Sequence, residues 1–181
     1  MINKISFVPY PTLETDRLIL RRLTSRDAPN VYFMRTDPQV NKYIKRPVPT
    51  DTNAANNFII KIKQRLALNE SIYWPITLKG KNEMIGSISL WHFSADKRTA
   101  EVGYELNPIY HGQGYMSEAF RIVIKYGFET LKLHTITAYT HRENEASIKL
   151  LSKHGFGLLT DKLDENNKNN IIFSINRQFA H

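Results

Sequence analysis

The stretch Asn107-Pro-Ile-Tyr-His-Gly-Gln-Gly-Tyr-Met-Ser-Glu-Ala119 decides how this chain reads, because an alternating run precedes it and a helix-periodic run follows. Before it, Ala100, Val102, Tyr104 and Leu106 share one side of an extended segment, with Thr99, Glu101, Gly103 and Glu105 on the other. After it, Met116, Ala119, Phe120, Val123 and Gly127 recur at helical spacing and predict a helix over residues 114–131. A strand, a glycine turn and a helix N-terminus in that order form an anion cradle. Gly112 and Gly114 permit close backbone approach, and the unpaired N–H groups of the first helical turn point, with the helix dipole, at negative charge. Glu118 falls in that turn, where a carboxylate suits the dipole, and Gly103 inside the strand predicts a bulge.

Outward from this centre the pattern alternates between strands and helices. Residues 17–23 predict a first strand, and residues 25–35 a helix. Residues 36–50, with Pro38, Pro47 and Pro49, predict a loop beside a substrate. Asp51 or Thr52 caps a second helix reaching about residue 69, with Phe58, Ile59, Ile62 and Leu66 inward. Residues 71–78 and 83–92 predict a hairpin through the polar turn 79–82, and Pro75 predicts a free edge near its first strand. Residues 134–140 predict a strand, and 144–154 a helix with Asn144 as N-cap and Gly155 as terminator. Strands near 156–160 and 170–175 follow, flanking an exposed polar loop at 164–170. Periodicity alone stops at a mixed α/β domain.

At 181 residues and 41% hydrophobic content the chain can bury one core without crosslinks, and with no cysteine it has neither disulfides nor a nucleophilic thiol of its own. No run approaches membrane-spanning length, so the expectation is a soluble, cytoplasmic protein. The net charge of +8 is concentrated in residues 1–70, which hold 12 Lys/Arg against 6 Asp/Glu. Such a balance attracts anions of many kinds, phosphates, RNA and acidic protein tails among them. The histidines include no His-x-x-x-His pair, so no metal is expected; Gly-x-Ser-x-Gly is also missing, which removes a hydrolase elbow.

His111-Gly112-Gln113-Gly114-Tyr115-Met116 resembles the pyrophosphate loop Arg/Gln-x-x-Gly-x-Gly/Ala of the GNAT superfamily of acetyl-CoA-dependent N-acetyltransferases, departing from it at His111 and Met116. Gly-Tyr-Met followed by Ser-Glu-Ala, together with the opening Leu13-Glu-Thr-Asp-Arg-Leu-Ile-Leu-Arg-Arg-Leu23, resembles the branch that contains bacterial ribosomal-protein N-terminal acetyltransferases. The resemblance spans about residues 12–176 and implies one acetyltransferase domain over residues 1–181. Its implied fold is mixed α/β: a mixed, mostly antiparallel sheet of about seven strands, split between the fourth and fifth, with helices on both faces.

The resemblance also implies roles. Acetyl-CoA would be the co-substrate, with no metal. Its pyrophosphate would rest on the amides of His111, Gly112, Gln113, Gly114, Tyr115 and Met116, and the His111 ring could add a donor. Backbone groups of Tyr104, Glu105 and Leu106 would meet the pantetheine arm and the oxyanion. Asn144 would contact the same arm, although an Asn there is equally an N-cap. Glu101 occupies the position of a general base; its plain alternative is a solvent-facing carboxylate, and Glu105 shares its face. Many members carry a tyrosine as general acid where this chain has Leu151, which leaves the Ser147 hydroxyl as a candidate. An α-amine with pKa near 8 costs only about 1 kcal/mol to deprotonate at pH 7, a lysine roughly 4–5 kcal/mol. The first expected acceptor is therefore a protein N-terminus, that of a ribosomal protein in the resembling branch. A small amine (amino acid, polyamine or aminoglycoside) is the alternative, with net charge against polycations, and a non-catalytic RNA- or ribosome-binding module is the third. Trp74 and Trp91 read as packing residues. Monomer and homodimer both stay open.

Overall fold

A computed structural model describes residues 4–177. In chain order its elements are β1 (Leu13–Glu14), β2 (Leu18–Leu20), α1 (Ala28–Thr36), α2 (Thr52–Ala67), β3 (Ile72–Leu78), β4 (Met84–Trp91), β5 (Thr99–Leu106), α3 (Tyr115–Glu129), β6 (Thr135–His141), α4 (Glu145–Lys153), β7 (Gly157–Leu158) and β8 (Asn170–Asn176). The strands form one eight-stranded sheet in the order β1-β2-β3-β4-β5-β6-β8-β7. The strand expected over residues 17–23 is β2; β1, which lies before that range and outside the expectation, pairs with it across a turn in which the Thr15 N–H donates to the Leu18 carbonyl.

β3 explains why helices lie on both faces. It is buried along almost its whole length, with Ile72, Trp74 and Ile76 packed with Phe120 and Val123 of α3, and Tyr73 packed with Val31, Ala55 and Ile59 of α1 and α2. Alternation along the strand thus serves two cores, one per face. Trp74 is fully buried and its indole N–H donates to the Pro11 carbonyl at 2.7 Å, as a packing residue should.

Pairing is antiparallel throughout except between β5 and β6, which are joined by α3 as a crossover. These two strands pair only at Thr99, Ala100 and Glu101, opposite Thr135, Ile136 and Thr137. Beyond Glu101 they part, because β6 follows β8 along its full length while β5 stays with β4. The resulting split is the one the family resemblance implied.

Two local expectations need correction. The β4–β5 register runs without a break through Ser89↔Gly103, so Gly103 marks no bulge. The irregularity lies across β4 instead, where Ile76 pairs with Gly86 and Thr77 with Met84, leaving Ile85 extra. Pro75 sits on an interior strand, yet its neighbour β2 ends beside it; the Pro75 carbonyl accepts from the Arg21 N–H just past the end of β2, where a missing N–H costs little.

Glu118, read from sequence as a carboxylate facing the helix dipole, is buried and acts as a clasp. It accepts from the Thr15 hydroxyl, from the Arg17 N–H at 2.9 Å and from Arg17 Nε at 2.7 Å, while Arg17 Nη1 donates to the Gln113 carbonyl at 3.0 Å. The turn between β1 and β2 is thereby tied to the glycine turn and to the first turn of α3. Burial alone would raise the Glu118 carboxyl, but the hydrogen bonds from Thr15 and Arg17 outweigh it and hold the group below the ordinary glutamate value of 4.5. A depressed folded-state pKa gives stability that is complete above 4.5 and lost as pH falls through the lowered value. Glu118→Ala should therefore cost about 2 kcal/mol at pH 7 in urea unfolding, and the gap from wild type should narrow as pH drops below the glutamate range. A pH-independent gap would show that the clasp is not ionic.

Candidate active site

Asn107 opens the turn after β5 by accepting from the Ile109 N–H across the 3-10 segment Pro108–Tyr110. The chain then enters α3 through Gly112 at φ 73° and Gly114 at φ 79°, left-handed conformations in which a side chain is strained. Above Gly112 the space is open, with no atom within 4 Å of where a Cβ would stand. The first helical bond of α3 is donated by Glu118 to the Gly114 carbonyl. The N–H groups of residues 112–117 have no partner among the described residues. They form a row of donors at a helix N-terminus, and Arg17 adds charge beside it, its guanidinium 4.4 Å from the Tyr115 ring. A cleft of about 470 Å³ opens there, lined among others by Leu106, Gly112, Gly114, Met116, Ala146 and Leu150. His111 lines this cleft as well, and its ring Nε2 lies 3.0 Å from the Leu106 carbonyl at the end of β5.

At the split, the carbonyl of Arg98 faces β6, accepting from His134, and that of Leu106 faces His111. Tyr104 has the same parity, so its backbone N–H and C=O turn into the opening where β6 has left. Its side chain is the functional group that sequence reasoning missed. The Tyr104 hydroxyl lies 2.7 Å from Ser147 Oγ, and burial pushes the phenol up to about 12, the Ser147 hydrogen bond opposing the rise. Ser147 is itself buried in the first turn of α4, where its N–H donates to Asn144 Oδ1 at 3.2 Å. Asn144 is thus an N-cap that also lines the cleft. Leu151 is wholly buried in the main core and offers no polar group, so the hydroxyls at this junction come from Tyr104 and Ser147.

On the other side of the junction a second cavity of about 450 Å³ is lined by Glu101, Gly103 and Glu105 of β5 together with Trp91, Arg46 and Tyr139, among others. Tyr43, Ile44, Tyr104, Glu105, Asn144 and Ser147 line both cavities, which makes one continuous cleft. The two glutamates have different fates. Glu105 is held by Arg46 at 2.7 Å and accepts from the Ser87 hydroxyl at 3.3 Å. Among the described residues Glu101 has His92 as its ion-pair neighbour, with Nδ1 3.1 Å away; burial raises its pKa, the His92 contact works against the rise, and the charge of Asp164 adds to it. A mostly buried carboxylate with a raised pKa is a stronger base than an ordinary glutamate and is suited to accepting a proton. Trp91, unlike Trp74, is no simple packing residue: its indole N–H is buried without a partner. Among the described residues no cluster of His, Cys, Asp or Glu could hold a metal, and no helix is long and apolar enough to cross a membrane.

Arg46 also donates to the Met34 carbonyl at 2.8 Å and to Asn41 Oδ1 at 2.7 Å, so one guanidinium fastens the loop of residues 36–50 to β5. Arg46→Ala should raise amide hydrogen exchange across residues 36–50 by about tenfold or more, leaving β3–β5 protected. Unchanged exchange in the loop would refute this anchoring.

Comparison with known proteins agrees with this architecture. A family model described as the acetyltransferase (GNAT) domain matches residues 17–157. The chain is 35% identical over 147 residues to YoaA, an uncharacterized N-acetyltransferase of Bacillus subtilis, covering 81% of this chain and 83% of that protein. Its fold superposes on the crystal structure of a GNAT-family acetyltransferase from Bacillus anthracis with a TM-score of 0.78 at 28% identity, over 93% of this chain and 99% of that one. In fold alone it is also similar to RimL, a ribosomal L7/L12 alpha-N-protein acetyltransferase in complex with coenzyme A, with a TM-score of 0.79 at 15% identity over 92% and 98% of the two chains. The glycine turn at the head of α3, the split sheet and the matched family model lead to one conclusion: the chain belongs to the GNAT family of acetyltransferases.

Proposed function

We propose that this acetyltransferase moves an acetyl group from acetyl-CoA to an α-amine, that of a protein N-terminus, by direct attack on the thioester. The observation that carries the proposal is the continuous cleft, with a row of unpartnered N–H donors at one end and a carboxylate of raised pKa at the other. Acetyl-CoA supplies the activated acetyl group. The N–H groups of residues 112–117, the open space over Gly112 and the adjacent Arg17 form a donor set suited to a diphosphate. Asn144 and the free edge of β5 at Tyr104 offer amide groups to an extended ligand lying in the split.

The acceptor amine must be neutral when the C–N bond forms, and Glu101 takes the proton it gives up, directly or through one water. Backbone N–H groups around Tyr104 meet the negative charge that develops on the carbonyl oxygen. As the C–S bond breaks, the sulfur takes a proton from Ser147, which the Tyr104 hydroxyl can replenish at 2.7 Å. An α-amine suits this machinery because one carboxylate with a moderate pKa is base enough for it. The fold likeness to a ribosomal-protein acetyltransferase supports a protein N-terminus as the acceptor.

Glu101→Gln should lower kcat about 100-fold without changing the Kd of acetyl-CoA. The rise of kcat/KM with pH should follow an ionisation above the ordinary glutamate range in wild type and lose that limb in the variant. Full activity of Glu101→Gln at neutral pH would remove this residue from the mechanism. The cradle has its own check. Gly112→Asp and Gly112→Asn both fit the left-handed backbone and the open space, but only the former sets a negative charge among the N–H groups, so acetyl-CoA should bind about tenfold more weakly to it than to the Asn variant. Equal calorimetric affinities for the two variants would place the diphosphate elsewhere.

A further inference from the structure

The acceptor cavity is electrically two-ended. Glu101, with Asp164 nearby, forms a negative end where an amine is drawn. At the other end the lining holds Arg35 and Arg46, both within the field of Glu105, and that carboxylate is committed to Arg46. Arg35 is half-buried on α1, its guanidinium 4.4 Å from the Phe58 ring, and it has no carboxylate within ion-pair distance among the described residues. A half-buried cation that must share the charge of Glu105 with Arg46 is under-compensated in the empty cavity and better compensated once a further anion arrives.

The same cavity holds a second, independent sign of a polar occupant. Among the described residues, the buried side-chain atoms without a hydrogen-bond partner are Ser71 Oγ, Tyr73 Oη, Trp91 Nε1 and Thr140 Oγ1, and all of these residues line it. Tyr73 leans on Ser87 without a hydrogen bond of ordinary geometry. Buried hydroxyls and an indole N–H left unpaired cost about 1–3 kcal/mol each, and an occupant whose amide groups reached them would recover part of that cost, which a hydrocarbon chain could not. A polyamine would bring further cations to the Arg35 end and offer no acceptor to the Trp91 indole N–H.

We propose that the acceptor is a peptide N-terminus with an aspartate or glutamate among its first residues, whose side-chain carboxylate docks on Arg35 while its α-amine lies at Glu101. This deepens the α-amine acetyl transfer proposed above and rests on it. The spacing sets the class of acceptor. Glu101 and Glu105 mark the two ends and stand four residues apart on β5, about 13 Å at the rise of an extended strand. An α-amino acid carries amine and carboxylate on one carbon, whereas an extended peptide covers that span in about four residues.

The test uses amidated peptides beginning with Ser, with Glu, Gln or Lys at positions two to four, alongside free serine, aspartate and glutamate. Binding is measured by calorimetry to the CoA-saturated protein, and kcat/KM is measured with acetyl-CoA. Glu peptides should bind about tenfold or more tightly than their Gln counterparts, and Lys peptides should be weakest. Arg35→Gln should erase that order through KM, Arg35→Lys should restore part of it, and CoA affinity should be unchanged in both, because Arg35 does not line the cradle cleft. Equal binding of the three wild-type series, or tighter binding of free acidic amino acids than of peptides, would overturn the proposal. Failure of every amine to be acetylated while acetyl-CoA binds would instead overturn the transfer reaction, and the calorimetric series would still score the docking of the acidic peptide.

Discussion

The departure of β6 from β5 after Glu101 is the constraint on which the rest depends. A parallel pair normally satisfies its backbone groups strand to strand; here only Thr99, Ala100 and Glu101 are paired in that way. The cost is an edge of unpaired polar backbone inside the protein, which persists only where something else can satisfy it. That edge, the Tyr104–Ser147 junction and the glycine turn all lie where the strands diverge. α3 makes the arrangement possible, because the crossover from β5 to β6 delivers a helix N-terminus to the mouth of the split.

Around this opening the protein spends its ion pairs on positioning. Glu118 and Arg17 bind the β1–β2 turn to the head of α3, and Arg46 with Glu105 binds the 36–50 loop to β5. Glu118 in the first pair and both partners in the second are largely buried, so the value of each pair lies as much in fixing a geometry as in raw stability. Glu101 is left outside these pairs, with only a mostly exposed histidine for company. The difference between Glu101 and Glu105 is therefore one of surroundings: the same residue type, on the same strand face, is a tether at one position and a titratable group at the other.

Much of the fold was legible along the chain. The helical spacing from Met116 to Gly127, the caps Asp51 and Asn144 and the hairpin through residues 79–82 are each local chemistry, and all of them appear in the structure. Gly103 and Pro75 misled for one reason: a glycine or a proline in a strand reports a local freedom or a missing donor, and its meaning depends on which neighbouring strand ends beside it. Glu118 was legible in part. Its place in the first turn of α3 holds, but its burial as a clasp comes from Thr15 and Arg17, about a hundred residues away in sequence.

Short-range order, the pattern of inward positions, the glycine turn and the family were determined by sequence alone, because they depend on contacts between residues a few positions apart or on motifs read directly. Only the tertiary structure decided that Tyr104 meets Ser147, that Arg46 occupies Glu105 and leaves Glu101 to His92 and Arg35 without an ion pair among the described residues, and that the unpartnered atoms of Ser71, Tyr73, Trp91 and Thr140 belong to residues lining one cavity. Those are matters of burial and of charges brought together from distant segments. Electrostatic energy in a protein interior depends on distances in space and on access to water, and neither is written in the order of residues.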